Sequence, residues 1–214
     1  MASVWAQAAL HQHLPATPWR ETVATLGYPL GFILVILGRM QLFTEHTMVA
    51  ILPLAEKPSG AAVRRVAGLW TAVLLGNLIG AAAIAGLSAH AGIQSAELLH
   101  SMLEISRKLL EESPSEILLQ GIPAGFLIAS VAWIRTAADD SSFWIVLALT
   151  YPIGAAGFTH VIAGAAEAFL LAWSGEASLG WAFGGFILPA LIGNILGGTG
   201  LFALLAHAQV KAEK

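Results

Sequence analysis

Long apolar runs separated by short polar stretches dominate the chain. With about 20 predominantly apolar residues needed per crossing, spans are predicted at roughly 25 to 54, 63 to 87, 116 to 134, 142 to 172 and 181 to 207. The first and fourth are longer than one crossing and carry polar residues near their middles. Two pairs of segments repeat. Gly76-Asn77-Leu78-Ile79-Gly80 and Gly193-Asn194-Ile195-Leu196-Gly197 lie about 117 residues apart. Phe43-Thr44-Glu45-His46 and Phe158-Thr159-His160 lie about 115 apart, each roughly 35 residues before its Gly-Asn element. This predicts a duplication of membrane helices, each copy containing one broken helix. Backbone groups freed by a break are tolerated only beside a cavity or protein, so such a repeat points to a transport path near the bilayer midplane. The expected fold class is an all-α integral membrane protein with an inverted repeat.

The expected organisation is one transmembrane domain over 1–214. Residues 1–87 form a first repeat incomplete at its N-terminus, 88–114 an extracytoplasmic connection, and 115–214 the second repeat. Five spans is an odd number for a duplication: the span at 116 to 134 has no full counterpart in the first half. Residues 1 to 24 include His11, Gln12, His13, Pro15, Pro18 and Arg20, too polar to cross. The first helix is therefore expected to be lost, or to begin upstream of the recorded start, leaving Val4 to Leu10 as its remnant.

Residues 95 to 112 place Leu98, Leu99, Met102, Ile105, Leu109 and Leu110 at helical spacing among charges, which predicts an amphipathic surface helix. Ser113-Pro114-Ser115-Glu116 then reads as a capping box with Pro at the first helical position. Asp139 and Asp140 are expected to cap the helix that follows, and Gly175 to Gly180 to form a turn.

Composition sharpens this picture. The chain is 57% hydrophobic and 11% charged, against about 25% charged in soluble domains, and its mean hydropathy of +0.76 agrees with a lipid environment. The absence of cysteine removes disulfides and thiolate sites. Lys57, Arg64, Arg65, Arg135, Lys211 and Lys214 fall on one side if the spans alternate, whereas Arg107 and Lys108 are diluted among Glu97, Glu104, Glu111 and Glu112. The positive-inside rule then puts the C-terminus in the cytoplasm. No basic segment precedes a compact apolar one, so a cleaved signal peptide is not expected.

Polar groups at membrane depth each need a reason. Asn77 and Asn194 hold matching places in the repeat and can satisfy backbone groups freed at a break. Arg39 and Glu45 flank the first break and are expected to pair. His160 stands at the second break with no cation near it in sequence, and imidazole can exchange a proton near neutral pH. A metal site from His46, His160 and Glu167 is the alternative, but no H-E-x-x-H or comparable spacing supports it. Most glycines within the spans are expected to serve close helix packing.

From about Gly27 onward, these elements together resemble the formate/nitrite transporter family. The matches are Leu42-Phe43-Thr44 at the first break, Gly157-Phe158-x-His160 at the second, Gly76-Asn77, and Gly193-Asn194-Ile195-Leu196-Gly197-Gly198. Leu37 to Glu45, reading L-G-R-x-Q-L-F-T-E, is similar to a less studied branch. The resemblance implies an aquaporin-like fold of six helices, two of them broken, in a homopentamer with one pore per protomer. It implies transport of small monovalent weak-acid anions together with a proton across a bacterial inner membrane, with no enzymatic activity, cofactor, metal or nucleic-acid partner. Carried over by position, Thr44 and His160 would face each other at the pore centre. Tyr28, Phe32, Leu42, Phe43, Ile128 and Ile153 would line its apolar constrictions. Three departures stand out: Gly125 where formate channels have a pore asparagine, Thr159 in place of an acidic residue, and Glu45 in place of a small hydroxyl. A family lysine aligns with Leu109, next to Lys108, which would take its role in attracting anions. A neutral small-solute pore and a non-conducting truncated membrane protein are the competing functional readings.

Overall fold

The structure, a computed structural model, describes residues 1–212, and side chains as far as 209. Lys214 and the side chain of Lys211, both used in the charge argument, lie outside that description. Among the described residues all regular structure is helical. The order is α1 (Ala2–His13), α2 (Arg20–Ala24), α3 (Pro29–Leu37), α4 (Phe43–Val49), α5 (Ile51–Glu56), α6 (Gly60–His90), α7 (Ala96–Ser106), α8 (Pro114–Arg135), α9 (Ser142–Ala155) and α10 (Val161–Trp173). The last span runs from Trp181 through α11 (Leu188–Ile195) into α12 (Leu204–Ala212), with π-helical turns on both sides of α11. Four stretches among the described residues are long and apolar enough to cross a membrane: Arg20–Leu37, Gly60–His90, Pro114–Arg135 and Trp181–Gln209.

Local chemistry explains the helix boundaries. Ser113 accepts from Glu116 N–H while the Glu116 carboxylate accepts from Ser113 N–H, so the capping box forms and Pro114 opens α8. The amphipathic helix is α7, extended by a 3₁₀ turn over Arg107–Leu110; Ser95 caps it and Met102 and Ile105 are buried beneath it. Asp139 does not cap α9 through backbone N–H groups. It accepts from the Ser142 hydroxyl at 3.1 Å and pairs with Arg135 and Arg39 at 3.8 and 4.0 Å. The nearby guanidinium groups outbid neutral amides for a carboxylate. At the N-terminus α1 has 12 residues and rises about 18 Å, short of the roughly 30 Å hydrocarbon core. It packs against α7, α2 and α3 and buries Val4 and Ala8.

Two helix pairs carry the core: α6 with α10 and α8 with α11. The second is closest where glycines face each other. A Cβ on Gly193 would meet Gly121, and one on Gly197 would meet the backbone of Ile122 and Phe126. Close backbone approach supplies dispersion contacts where lipid removes any hydrophobic attraction between helices. Gly76, Gly80, Gly184 and Gly200 have open space around them instead, so close packing within the chain does not account for those four.

Candidate functional site

Each half of the molecule contains one interrupted helix, and the two interruptions are built alike. The first runs from Gly38 to Leu42 between α3 and α4, the second from Ala156 to His160 between α9 and α10. Both first halves end in the same pair of hydrogen bonds: Arg39 N–H to Ile36 O with Met40 N–H to Val35 O, and Gly157 N–H to Gly154 O with Phe158 N–H to Ile153 O. This is the Schellman motif, which needs a left-handed residue after the helix. Gly157 fills it at φ 69° and Arg39 at φ 52°. An arginine in that region carries strain that glycine avoids.

The asparagines close both breaks. Asn77 Oδ1 accepts from Phe43 N–H at 3.0 Å and its Nδ2 donates to Gln41 O at 2.9 Å. Asn194 Oδ1 accepts from Val161 N–H at 2.9 Å, and its Nδ2 donates to Thr159 O at 2.9 Å and Gly121 O at 2.8 Å. One amide thus bridges the last orphan carbonyl of the break and the first orphan N–H of the helix after it. These bonds correct the repeat register read from sequence. Phe43 corresponds to Val161 and Leu42 to His160, 118 positions apart, so Phe43-Thr44 is not the counterpart of Phe158-Thr159. The first break also lies earlier than expected: Arg39 is inside it, and Phe43 to His46 open α4.

At the centre the two second halves meet. His160 is the N-cap of α10, and Ala163 N–H donates to its Nδ1 at 3.2 Å. An acceptor role for Nδ1 puts the ring proton on Nε2, which donates to Thr44 Oγ1 at 2.7 Å. The Thr44 hydroxyl proton is left free for another acceptor. Both side chains are buried, at 1% and 0% exposure, and the Phe32 ring meets the imidazole edge-on with centroids 4.9 Å apart.

Two cavities reach His160. One, of about 310 Å³, is lined by Glu21, Lys108, Glu112, Gly157, His160 and Glu167 among others. The other, about 200 Å³ and almost wholly apolar, runs past Ser3, Val4, Phe32, Val35, Leu42 and Ile162. Among the described residues, His160 is the one that lines both. Tyr28, Phe32, Leu42, Ile128 and Ile153 form a single buried cluster beside it. The arrangement is a polar vestibule, an apolar waist and, between them, His160 with its bond to Thr44.

The family model described as Formate/nitrite transporter matches residues 1–208. The chain belongs to this family. Inner membrane protein YfdC of Escherichia coli (strain K12) is 35% identical over 212 residues, covering 99% of this chain and 68% of that protein. Uncharacterized transporter YrhG of Bacillus subtilis (strain 168) is 30% identical over 208 residues, 92% of this chain and 77% of the relative. A pentameric formate channel with formate bound superposes with TM-score 0.79 at 18% identity, over 99% of this chain and 93% of that one. An FNT family ion channel superposes with TM-score 0.78 at 20% identity, covering 97% and 84%. The fold is therefore that of the formate/nitrite transporters, in an all-helical membrane protein with two broken helices.

Within this transporter the remaining expected residues fall into several groups. Phe43 is buried away from the waist cluster and stacks edge-on with Trp70 at 5.7 Å. Gly125 faces the backbone of Asn194, where a Cβ has no room, so it serves the α8–α11 crossing. The Thr159 hydroxyl donates to Ile117 O at 2.6 Å, tying the second break to α8. Arg39 and Glu45 do not pair with each other. Glu45 lies 3.4 Å from Arg135, both mostly buried, and Arg39 points outward to Asp139. The short loop between α8 and α9 brings Arg135 and Asp139 to the first break, which nothing in the local sequence announces. Lys108 does line the vestibule, but Glu21 holds its ammonium at 2.6 Å. Glu21 also accepts from His11 Nε2 at 2.8 Å, a link between α1 and the vestibule that sequence reading missed.

Proposed function

We propose that this protein conducts small monovalent weak-acid anions of the formate and nitrite type, linked to protons through the centre at His160. The observation that carries the reading is His160, bonded to Thr44 and lining both a polar vestibule and an apolar cavity. An isolated carboxylate entering apolar surroundings pays a solvation cost of about tens of kcal/mol, whereas its neutral acid pays only a few. At the end of the vestibule an anion meets His160, whose ring is held in place by its hydrogen bond to Thr44. It also meets the N-terminus of α10, whose dipole is equivalent to about half a positive charge. Held there, the anion takes up a proton from hydronium in the vestibule, leaving water, and crosses the waist as the neutral acid; His160 ends the cycle unchanged. Tyr28, Phe32, Leu42, Ile128 and Ile153 supply the apolar walls that make the bare anion costly.

The formate channel that shares the fold is pentameric, which supports a homopentamer for this chain as well. The Escherichia coli relative is named an inner membrane protein, and the basic connections at 55 to 65 and 135 to 141 support a cytoplasmic C-terminus. The test is flux of formate, nitrite and acetate into liposomes containing the purified protein, read with an internal pH dye. His160→Phe is expected to abolish saturable acidification while assembly persists. Unchanged flux in that variant contradicts the proposal.

A further inference from the structure

An anion that leaves water needs a hydrogen-bond donor in its place, and most side-chain donors of the vestibule are already committed. Lys108 is held by Glu21 at 2.6 Å, the Thr25 hydroxyl donates to Glu21 O at 2.8 Å, and the Thr159 hydroxyl donates to Ile117 O at 2.6 Å. His160 gives its Nε2–H to Thr44 and uses Nδ1 to accept from Ala163 N–H. Tyr28 lines the same cavity, and its hydroxyl has no hydrogen-bond partner among the described residues. It is also not enclosed: the buried side-chain polar atoms left unpaired among the described residues are Trp5 Nε1, His46 Nδ1, Ser88 Oγ and Gln94 Oε1. A hydroxyl that is neither bonded nor enclosed opens onto the space its residue lines, here the vestibule.

The ring that carries this hydroxyl is fixed on every side. Tyr28 and Phe32 stand one turn apart at the start of α3, with centroids 5.4 Å apart, and Phe32 in turn meets the His160 ring. Ser3 Oγ donates to Tyr28 O at 2.6 Å and pins the backbone. Gly154 on α9 leaves room for the ring, because a Cβ there would come within 2.8 Å of Tyr28 Cγ. Tyr28 therefore sits where the vestibule gives way to the waist: it belongs to the waist cluster, yet Phe32 and Leu42 of that cluster line the apolar cavity instead. Two other lining residues, Gln7 and Thr22, have uncommitted donors, but Gln7 is half-buried and Thr22 exposed. Tyr28 is 8% exposed, and a hydrogen bond shielded from water is electrostatically the stronger one.

We infer that the Tyr28 hydroxyl is the substrate-binding donor of the vestibule: its O–H donates to an oxygen of a carboxylate or nitrite ion just before the apolar waist. The ring stays part of the wall, while the hydroxyl favours an ion with an exposed oxygen lone pair. No covalent bond forms or breaks at Tyr28. The inference rests on the proposed weak-acid function and names the residue that recognises its substrate.

Tyr28→Phe removes the hydroxyl and keeps the ring that packs on Phe32, so assembly is preserved. In formate-driven acidification of liposomes containing the full chain, this variant should raise KM about tenfold, as expected for one hydrogen bond to a charged acceptor, and keep the limiting rate. A residue that only set the width of the waist would change the limiting rate instead. Binding is read directly by fluorine NMR of the full chain carrying meta-fluorotyrosine. The chain has two tyrosines, and the other, Tyr151, gives its hydroxyl to Thr22 O at 3.1 Å. Formate should shift, saturably, the resonance that Tyr28→Phe removes and leave the Tyr151 resonance in place. An unchanged KM in Tyr28→Phe, or a Tyr28 resonance blind to formate while the wild type transports it, overturns the inference and leaves the weak-acid function intact. A wild-type chain no faster than empty liposomes contradicts the underlying function, and the inference with it.

Discussion

Replacing Asn194 by alanine tests the claim that single amides hold the broken helices together. Asn194 is fully buried and makes three hydrogen bonds, to Val161 N–H, Thr159 O and Gly121 O. Each such bond is worth about 1 kcal/mol net, and stranding the Val161 N–H adds a further ~1–3 kcal/mol. Bonds within membranes average nearer ~0.6 kcal/mol because the unfolded chain in lipid also finds partners. The expected loss is therefore about 2–5 kcal/mol. Asn77 makes two such bonds at a break that is part-exposed, so Asn77→Ala should cost roughly half as much. Unfolding of the purified protein in mixed micelles, followed by tryptophan fluorescence, reads the difference. Asn194→Asp is a sharper probe: it keeps the acceptor for Val161 N–H but turns an oxygen toward two carbonyls, so it should be worse than alanine. If Asn77→Ala is as destabilising as Asn194→Ala, or Asp is tolerated at 194, the amide-bridge account is wrong.

Three further outcomes are expected. Gly125→Ala should destabilise by about 1–3 kcal/mol through overpacking against Asn194, whereas Gly76→Ala, with open space around it, should be close to neutral in the same unfolding assay. Arg39→Gly should raise the unfolding midpoint by relieving about 1–2 kcal/mol of left-handed strain, less the small loss of its exposed contact with Asp139; an unchanged or lower midpoint counts against strain at that residue. Arg107 donates two hydrogen bonds to Glu176 and holds its carboxyl below the usual carboxylate range. A depressed folded-state pKa means the stabilisation is complete above the unfolded value of about 4.3 and is lost as pH falls through the folded one. Acid unfolding should therefore begin at the same pH in Arg107→Ala but show a shallower dependence below it, by only a modest amount for a part-exposed pair.

The parts of the fold governed by local pattern were legible in the sequence. Apolar runs marked the spans, the spacing of Leu98, Met102 and Ile105 marked α7, and Ser113 with Glu116 marked the start of α8. The repeat was legible too, but its register was not: shared letters in Phe43-Thr44 and Phe158-Thr159 suggested one alignment, while the bonds of Asn77 and Asn194 impose another three positions away. Ion pairing escaped for a different reason. Glu45 finds Arg135, 90 residues away in the chain, and only the folded α8–α9 turn brings them together. The Thr44–His160 contact came from family resemblance, since nothing in local spacing links them.

The most direct test of a weak-acid conduit centred on His160 compares two gradients on the same proteoliposomes. Formate added outside should acidify the lumen far faster than in empty liposomes, and glycerol under equal osmotic challenge should enter no faster than the bare bilayer allows. Rapid glycerol entry without protein-dependent acidification would contradict the account and establish a neutral-solute pore in its place.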